Sequence, residues 1–403
     1  MANVTVPSGI NQTVTLTYDT SFGVYIASQI AAAVTAGIQG GSLQPAPNAS
    51  TPPALPPGTS SEWLQSQTGK TVLTSGYDDV LVTATNATIY GSNDANQAIL
   101  AGAANLTFDV TGGSGTIVAG AGNNTIAIPG NVEGAWTAIL GNGNNVVIAS
   151  GAGNTEITSG DGHNRITLGT GTADVELGGG TDTIYGGSGS VTISAAAGGS
   201  QLVYAGAGNL LFLGGAGAAT ILAGAGSDTI EGGSGTYVFH AGTAGNNSIL
   251  AGTGLATLYG AANGDILQAQ GSNTQVLRAG AGNETLSGIG SAGNDSLAGG
   301  SGNTVMIGGS GADTLAAGTG SATMTGGGSA DVFLFTKGLA GGVDVITDFG
   351  NADMIALKGY APNAAQSALN SAQVIGNSTQ FTLSDNTTVT LLNFTHLTTS
   401  SFS

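Results

Sequence analysis

A glycine-rich turn recurs every nine residues along much of this chain, and in three stretches the count never slips. The residue two before an apolar anchor falls at 164, 173, 182 and 191, then at 210, 219, 228 and 237, and again at 304, 313, 322 and 331. A fixed short period means one structural unit stacked on itself. Ile166, Val175, Ile184 and Ile193 follow such turns, as do Phe212, Ile221, Ile230, Leu286, Leu297, Leu315 and Phe333. Each repeat therefore reads as a tight turn plus a very short strand with one inward side chain. A single unit buries too little apolar surface to offset the entropy of ordering it, whereas stacked units share a core. Two repeats make one coil, and at ~4.8 Å per coil the repeat zone is expected to form a rod roughly 60 Å long.

The chain has 403 residues, 72 of them Gly, with Asp+Glu 23 against Lys+Arg 5 and a net charge of −18. Carboxylates with so few basic partners suit cations and argue against nucleic acid, whose phosphates need Lys and Arg clusters. With no Cys, disulfides and thiolate metal ligands are excluded. No stretch reaches the roughly 20 apolar residues of a bilayer span, so no transmembrane segment is expected. Met1 to Thr20 lacks the basic and apolar regions of a secretory signal. Catalysis finds little support. His163, His240 and His396 are far apart, no Gly-x-Ser-x-Gly or Gly-Lys-Ser/Thr pattern occurs, and no His pair has zinc-ligand spacing. The chain is expected not to be an enzyme.

Five segments follow. Residues 1–43 alternate in the β manner and then form a short Ala-rich helix over 22–39, read as a cap on the repeats or as an assembly element. Residues 44–60 are a Pro-rich linker (Pro45, Pro47, Pro52, Pro53, Pro56, Pro57), which keeps an extended path. Residues 61–111 are a β-rich entry, 112–335 the repeats, and 336–403 a C-terminal β cap. The fold class is all-β, a parallel β-solenoid of nonapeptide repeats with a short N-terminal helix.

Gly308-Gly309-Ser310-Gly311-Ala312-Asp313-Thr314-Leu315-Ala316 has the form Gly-Gly-x-Gly-x-Asp-x-apolar-x throughout. The stretches Gly224 to Ile230 and Gly180 to Ile184 follow it closely. Ala330 to Phe335, Asp344 to Phe349 and Ala352 to Leu357 form a second, separate pattern. The chain resembles the RTX (repeats-in-toxin, haemolysin-type calcium-binding) family, and this second pattern resembles the segment that closes its β-roll. The resemblance implies a parallel β-roll, Ca2+ in the turns, and export by type I secretion machinery through an uncleaved C-terminal signal. The protein would then be secreted without an N-terminal signal peptide.

Calcium takes six to eight oxygens from carboxylates and carbonyls. An ion between coils needs Asp ligands 18 residues apart, as Asp295, Asp313 and Asp331 are. Carbonyls of Gly293, Gly309, Gly311 and Gly327 would complete the shells. On the opposite edge Thr304 and Ala322 offer no carboxylate. Asp182, between Asn164 and Ser200 by the same count, is a weaker candidate, as is Asp228. Asp344, Asp348 and Asp353 bind a further ion or cap the roll. A calcium-dependent C-terminal third and a less dependent middle are expected. The favoured function is a secreted calcium-binding structural protein whose partner is itself, joined through the N-terminal segment or the solenoid ends into a fibre, surface layer or biofilm matrix. The alternative is an adhesin for cell-surface polysaccharide, or less plausibly ice, for which only Trp63 and Trp136 offer sugar platforms.

Overall fold

The computed structural model describes residues 1–9, 12–47, 49–103 and 105–403. The chain divides into two compact units, Met1–Gly208 and Asn209–Ser403, and in both the strands alternate between two parallel faces. Within each unit the coil strands pair in parallel with the next strand but one. In the first unit Ile126 lies beside Val147, Val147 beside Ile166, and Ile166 beside Ile184. In the second, Leu277 lies beside Leu297, Leu297 beside Leu315, and Leu315 beside Phe333. The expected anchors are thus the core, and each of these is at most 1 % exposed.

Close approach of successive turns explains the glycines. A Cβ at Gly311 would run into the carbonyl of Gly293, one coil earlier. Gly309 and Gly327 have φ of +141° and +101°, a region that side-chain-bearing residues rarely enter.

The first unit opens with a hairpin, β1 (Ala2–Pro7) and β2 (Thr13–Tyr18), followed by α1 (Ser21–Gly40). Thr20 caps α1 by accepting the Gly23 N–H at 3.1 Å, and Gly41 ends it in the left-handed conformation. This segment does not lie over an end of the coils, as a cap would. It lies along a flank. Val4, Val6, Leu16 and Tyr18 of the hairpin and Ala27, Ala31 and Val34 of α1 share one buried cluster with Leu81, Leu100, Val118 and Ile139. Those four project outward from successive strands of one face. Asp19 adds a polar tie, accepting the Asn142 N–H at 2.8 Å. Against expectation, α1 is by length and composition apolar enough to cross a bilayer. The reason is its run of Ala, Gly, Ile and Val without a single charge. Here its inner side is packed on the hairpin.

The first coil strands are β3 (Ser61–Gln65), β4 (Gly69–Val72) and β5 (Tyr77–Val82). Residues of the Pro-rich linker pack on them, Gln44 bridging in parallel to Ser61 and the Tyr77 hydroxyl donating to the Pro53 carbonyl. In the second unit the last strands are covered. Thr388–Leu391 pairs in parallel with Val343–Ile346 and antiparallel with Ser378–Thr382, while Phe402 bridges to Ile355. The expected C-terminal β cap is present, with a short helix, Ala364–Ser371.

Leu315 is fully buried and Thr314 faces outward. Leu315→Ala should therefore lower unfolding stability by about 3 kcal/mol, and Thr314→Ala by less than about 0.5 kcal/mol. Denaturant melts of the two variants check this.

Candidate metal centre

Turn geometry brings the side chain two residues before each anchor to the edge of the core, directly over its counterpart one coil away. In the second unit one such edge carries Gln275, Asp295, Asp313, Asp331 and Asp353. Each carboxylate reaches back one coil. Asp295 accepts the Gln275 N–H at 2.8 Å, Asp313 the Asp295 N–H at 2.6 Å, Asp331 the Asp313 N–H at 2.8 Å, and Asp353 the Asp331 N–H at 3.0 Å. The predicted ladder of Asp295, Asp313 and Asp331 is therefore assembled, with Asp353 as a fourth rung. These three are at most 2 % exposed, and the second oxygens of Asp295 and Asp313 are buried with no hydrogen-bond partner.

The first unit shows what belongs beside those oxygens. There the same ladder is built from Asn124, Asn145 and Asn164. Each side-chain oxygen accepts the backbone N–H one coil back, from Leu106, Asn124 and Asn145. The amide nitrogen fills the turn: Asn145 Nδ2 donates to the Gly141 and Gly143 carbonyls at 3.1 and 2.8 Å and to Asn164 Oδ1 at 2.9 Å. Asn124 repeats this with Gly120, Gly122 and Asn145. The carbonyls four and two residues upstream thus meet a donor. For Asp313 the same offsets give Gly309 and Gly311, for Asp295 they include Gly293, and for Asp331 they include Gly327. An Asp there presents an oxygen to carbonyl oxygens, an arrangement that needs a proton or a cation between them. Oxygen-only donors of this kind are those of a hard divalent ion, so the residues present fit calcium.

Electrostatics agree. Burial pushes the Asp313 and Asp331 carboxyls up to about 6. Neighbouring carboxylates add to the rise, Asp295 and Asp331 for Asp313, and Asp353 and Asp348 for Asp331. Burial also raises Asp295.

The remaining predicted residues separate. Asp182 accepts from the Asn164 backbone and side chain at 3.2 and 2.8 Å, keeps a buried unpartnered oxygen, and is pushed by burial up to about 6. Its next-coil neighbour is Gln201, not Ser200. One extra residue in the turn ending at Gly198 and Gly199, both with positive φ, shifts the count. Asp228 accepts from Leu210 and Gly224 N–H. Asp344 lies on the opposite edge from Asp331, accepts the Ala322 N–H at 2.8 Å, and is pushed by burial up to about 7, with one oxygen unpartnered. Asp348 takes both the Gly326 and Gly327 N–H groups, and Asp353 also takes the Gly350 N–H. These two cap turns, and the three do not converge. Among the described residues no three His, Asp or Glu side chains converge on a single metal position. Any ion here would draw mostly on carbonyls.

Two acidic residues escaped the sequence reading. Asp265 accepts from Asn247 N–H and Nδ2, and Asn247 in turn accepts from Asp228. Glu284 is 3 % exposed, accepts the Gly280 N–H, keeps one oxygen unpartnered, and is raised by burial to about 7. Each stands two before an anchor, Leu267 and Leu286. That offset was the available signal; strict 18-residue spacing hid them.

A model of the RTX calcium-binding nonapeptide repeat (4 copies) matches residues 109–127, 177–209, 212–236, 289–306 and 307–338. The chain carries RTX calcium-binding repeats on a β-roll scaffold. The matched stretches include Asp182, Asp228, Asp295, Asp313 and Asp331. RTX repeats bind Ca2+, and RTX proteins are substrates of type I secretion. The family and fold are typically structural or binding in role. A search of curated proteins finds no match.

Because these carboxyls are raised in the fold, their contribution to stability is full below the ordinary Asp value and is lost as pH rises through about 6 to 7. In chelator, the melting temperature of the RTX protein should therefore fall between pH 5 and pH 7.5, and millimolar calcium should restore it at pH 7.5. Calorimetry with and without chelator measures both. Asp313→Asn supplies the missing donor. It should raise stability in chelator by about 1 kcal/mol while reducing the gain from calcium, seen as a smaller calcium-induced rise in melting temperature.

Proposed function

We propose that this RTX protein is a secreted, calcium-stabilised structural protein, without catalytic activity, that associates with copies of itself into an extracellular layer, fibre or matrix. Asp295, Asp313 and Asp331, with carbonyls of Gly293, Gly309, Gly311 and Gly327, would hold the ions. Asp182, Asp228 and Asp344 are weaker positions. A bound ion would supply the positive charge between coils; the chain's own residues align the carbonyls and exclude water.

One observation carries the self-association. On one face of the second unit the outward column runs Val238, Thr257, Val276, Ser296, Thr314 and Val332, each beside the next. Next to it run Tyr259, Arg278, Ala298, Ala316 and Leu334, each beside the next. No carboxylate stands in either column, although the chain carries 23 acidic residues. A β-branched surface without negative charge, in which Arg278 is the one formal charge, favours packing against a like surface. Covered C-terminal strands and an N-terminal segment folded on its own flank turn the expected joint from ends to faces. The adhesin reading loses its platforms, since Trp63 and Trp136 are 2 % and 1 % exposed.

In millimolar calcium, light scattering and negative-stain microscopy should show concentration-dependent assemblies. Val276→Glu with Thr314→Glu should disperse them and leave the calcium-induced β-signal intact. A monomer at every concentration would sink the proposal.

A further inference from the structure

The flank that receives the N-terminal segment contains a buried carboxylate that the β-roll does not use. Glu62 of β3 projects outward under the segment and is 0 % exposed. Its Oε2 accepts the Ala46 N–H at 3.2 Å, and its Oε1 is buried without a geometric hydrogen-bond partner among the described residues. The Ser8 hydroxyl, which follows β1 and is 1 % exposed, and the Gly9 N–H face the same carboxylate. Asp79 of β5 stands beside Glu62 in register, next to a bulge at Asp78. Among the described residues no Lys or Arg side chain acts on either carboxylate. Burial holds Glu62 up at about 7 and Asp79 at about 6, with the charge of Asp79 adding to Glu62 and that of Asp78 to Asp79.

Negative charge confined under a docked segment weakens the docking unless a positive charge joins it. A buried carboxylate faced by the Ser8 hydroxyl, an acidic neighbour one strand away, and an adjoining open cleft of ≈ 630 Å³ lined by Ser8, Gln44 and Ala46 describe a cation site beside an opening.

We propose that Glu62 and Asp79, with the Ser8 hydroxyl, bind a divalent cation that clamps residues 1–43 onto the flank of the first unit. The site is separate from the repeat turns. Its ligands come from two parts of the chain joined by the Pro-rich linker, so losing the ion frees the segment while the coils persist.

Hydrogen–deuterium exchange of the full chain at pH 7.5 tests this, with calcium alone as the probe against chelator. Calcium should slow exchange across residues 1–43 at least tenfold in the wild type. Glu62→Gln and, separately, Asp79→Asn should abolish that response, while Asp313→Asn, which alters only the repeat turns, should retain it. Circular dichroism of each variant confirms that the coils are folded. The proposal is overturned if the wild-type segment is indifferent to calcium, if both flank variants keep the response, or if Asp313→Asn removes it. It is equally overturned if lowering the pH to 6 in chelator protects the segment and calcium at pH 7.5 does not.

Discussion

Parallel pairing between coils is the constraint on which everything else in this protein depends. It sets each residue about 4.8 Å from its counterpart in the next coil, so any side-chain property is repeated at contact distance. For Ile166 beside Ile184, or Leu297 beside Leu315, repetition is favourable and makes a core. For a charge it is unfavourable, and the buried edge of the turn is where that conflict becomes acute.

The two units resolve the conflict differently. Asn124, Asn145 and Asn164 present oxygen to one neighbour and nitrogen to another, so the stack is its own counterpart. Asp295, Asp313 and Asp331 present only oxygen, and their second oxygens face the turn without a donor or are held by burial in a raised state. The backbone pattern is the same in both, since each side chain accepts the N–H one coil back. Only the terminal atom differs, and with it whether a coil requires something from solution.

Much of this was legible in the sequence because the inward positions and the turn glycines obey hard steric rules. Ile126, Leu315 and Phe333 had to point inward, and Asp295, Asp313 and Asp331 had to stack, since no residue is gained or lost between them. Asp265 and Glu284 were hidden because one-residue expansions of surface turns cost the fold little yet break a count. The same expansion moved Gln201 into the place assigned to Ser200. The docking of residues 1–43 on a flank was less visible, though not silent. Val80-Leu81-Val82 and Ile117-Val118-Ala119 bury consecutive residues, and a strand covered on both sides abandons alternation. The buried pair of Glu62 and Asp79 left no such trace, because a carboxylate on an outward position reads as solvated until the segment over it is seen.

Asparagine and aspartate codons differ by a single base. In most proteins that exchange at a buried site is simply damaging, but in the Asn124–Asn145–Asn164 stack and its acidic counterpart each form is complete on its own terms. A lineage carrying this scaffold can therefore move the boundary between self-sufficient and ion-requiring coils one rung at a time, without redesigning the backbone, and so tune how far its folding waits on the chemistry of the surroundings.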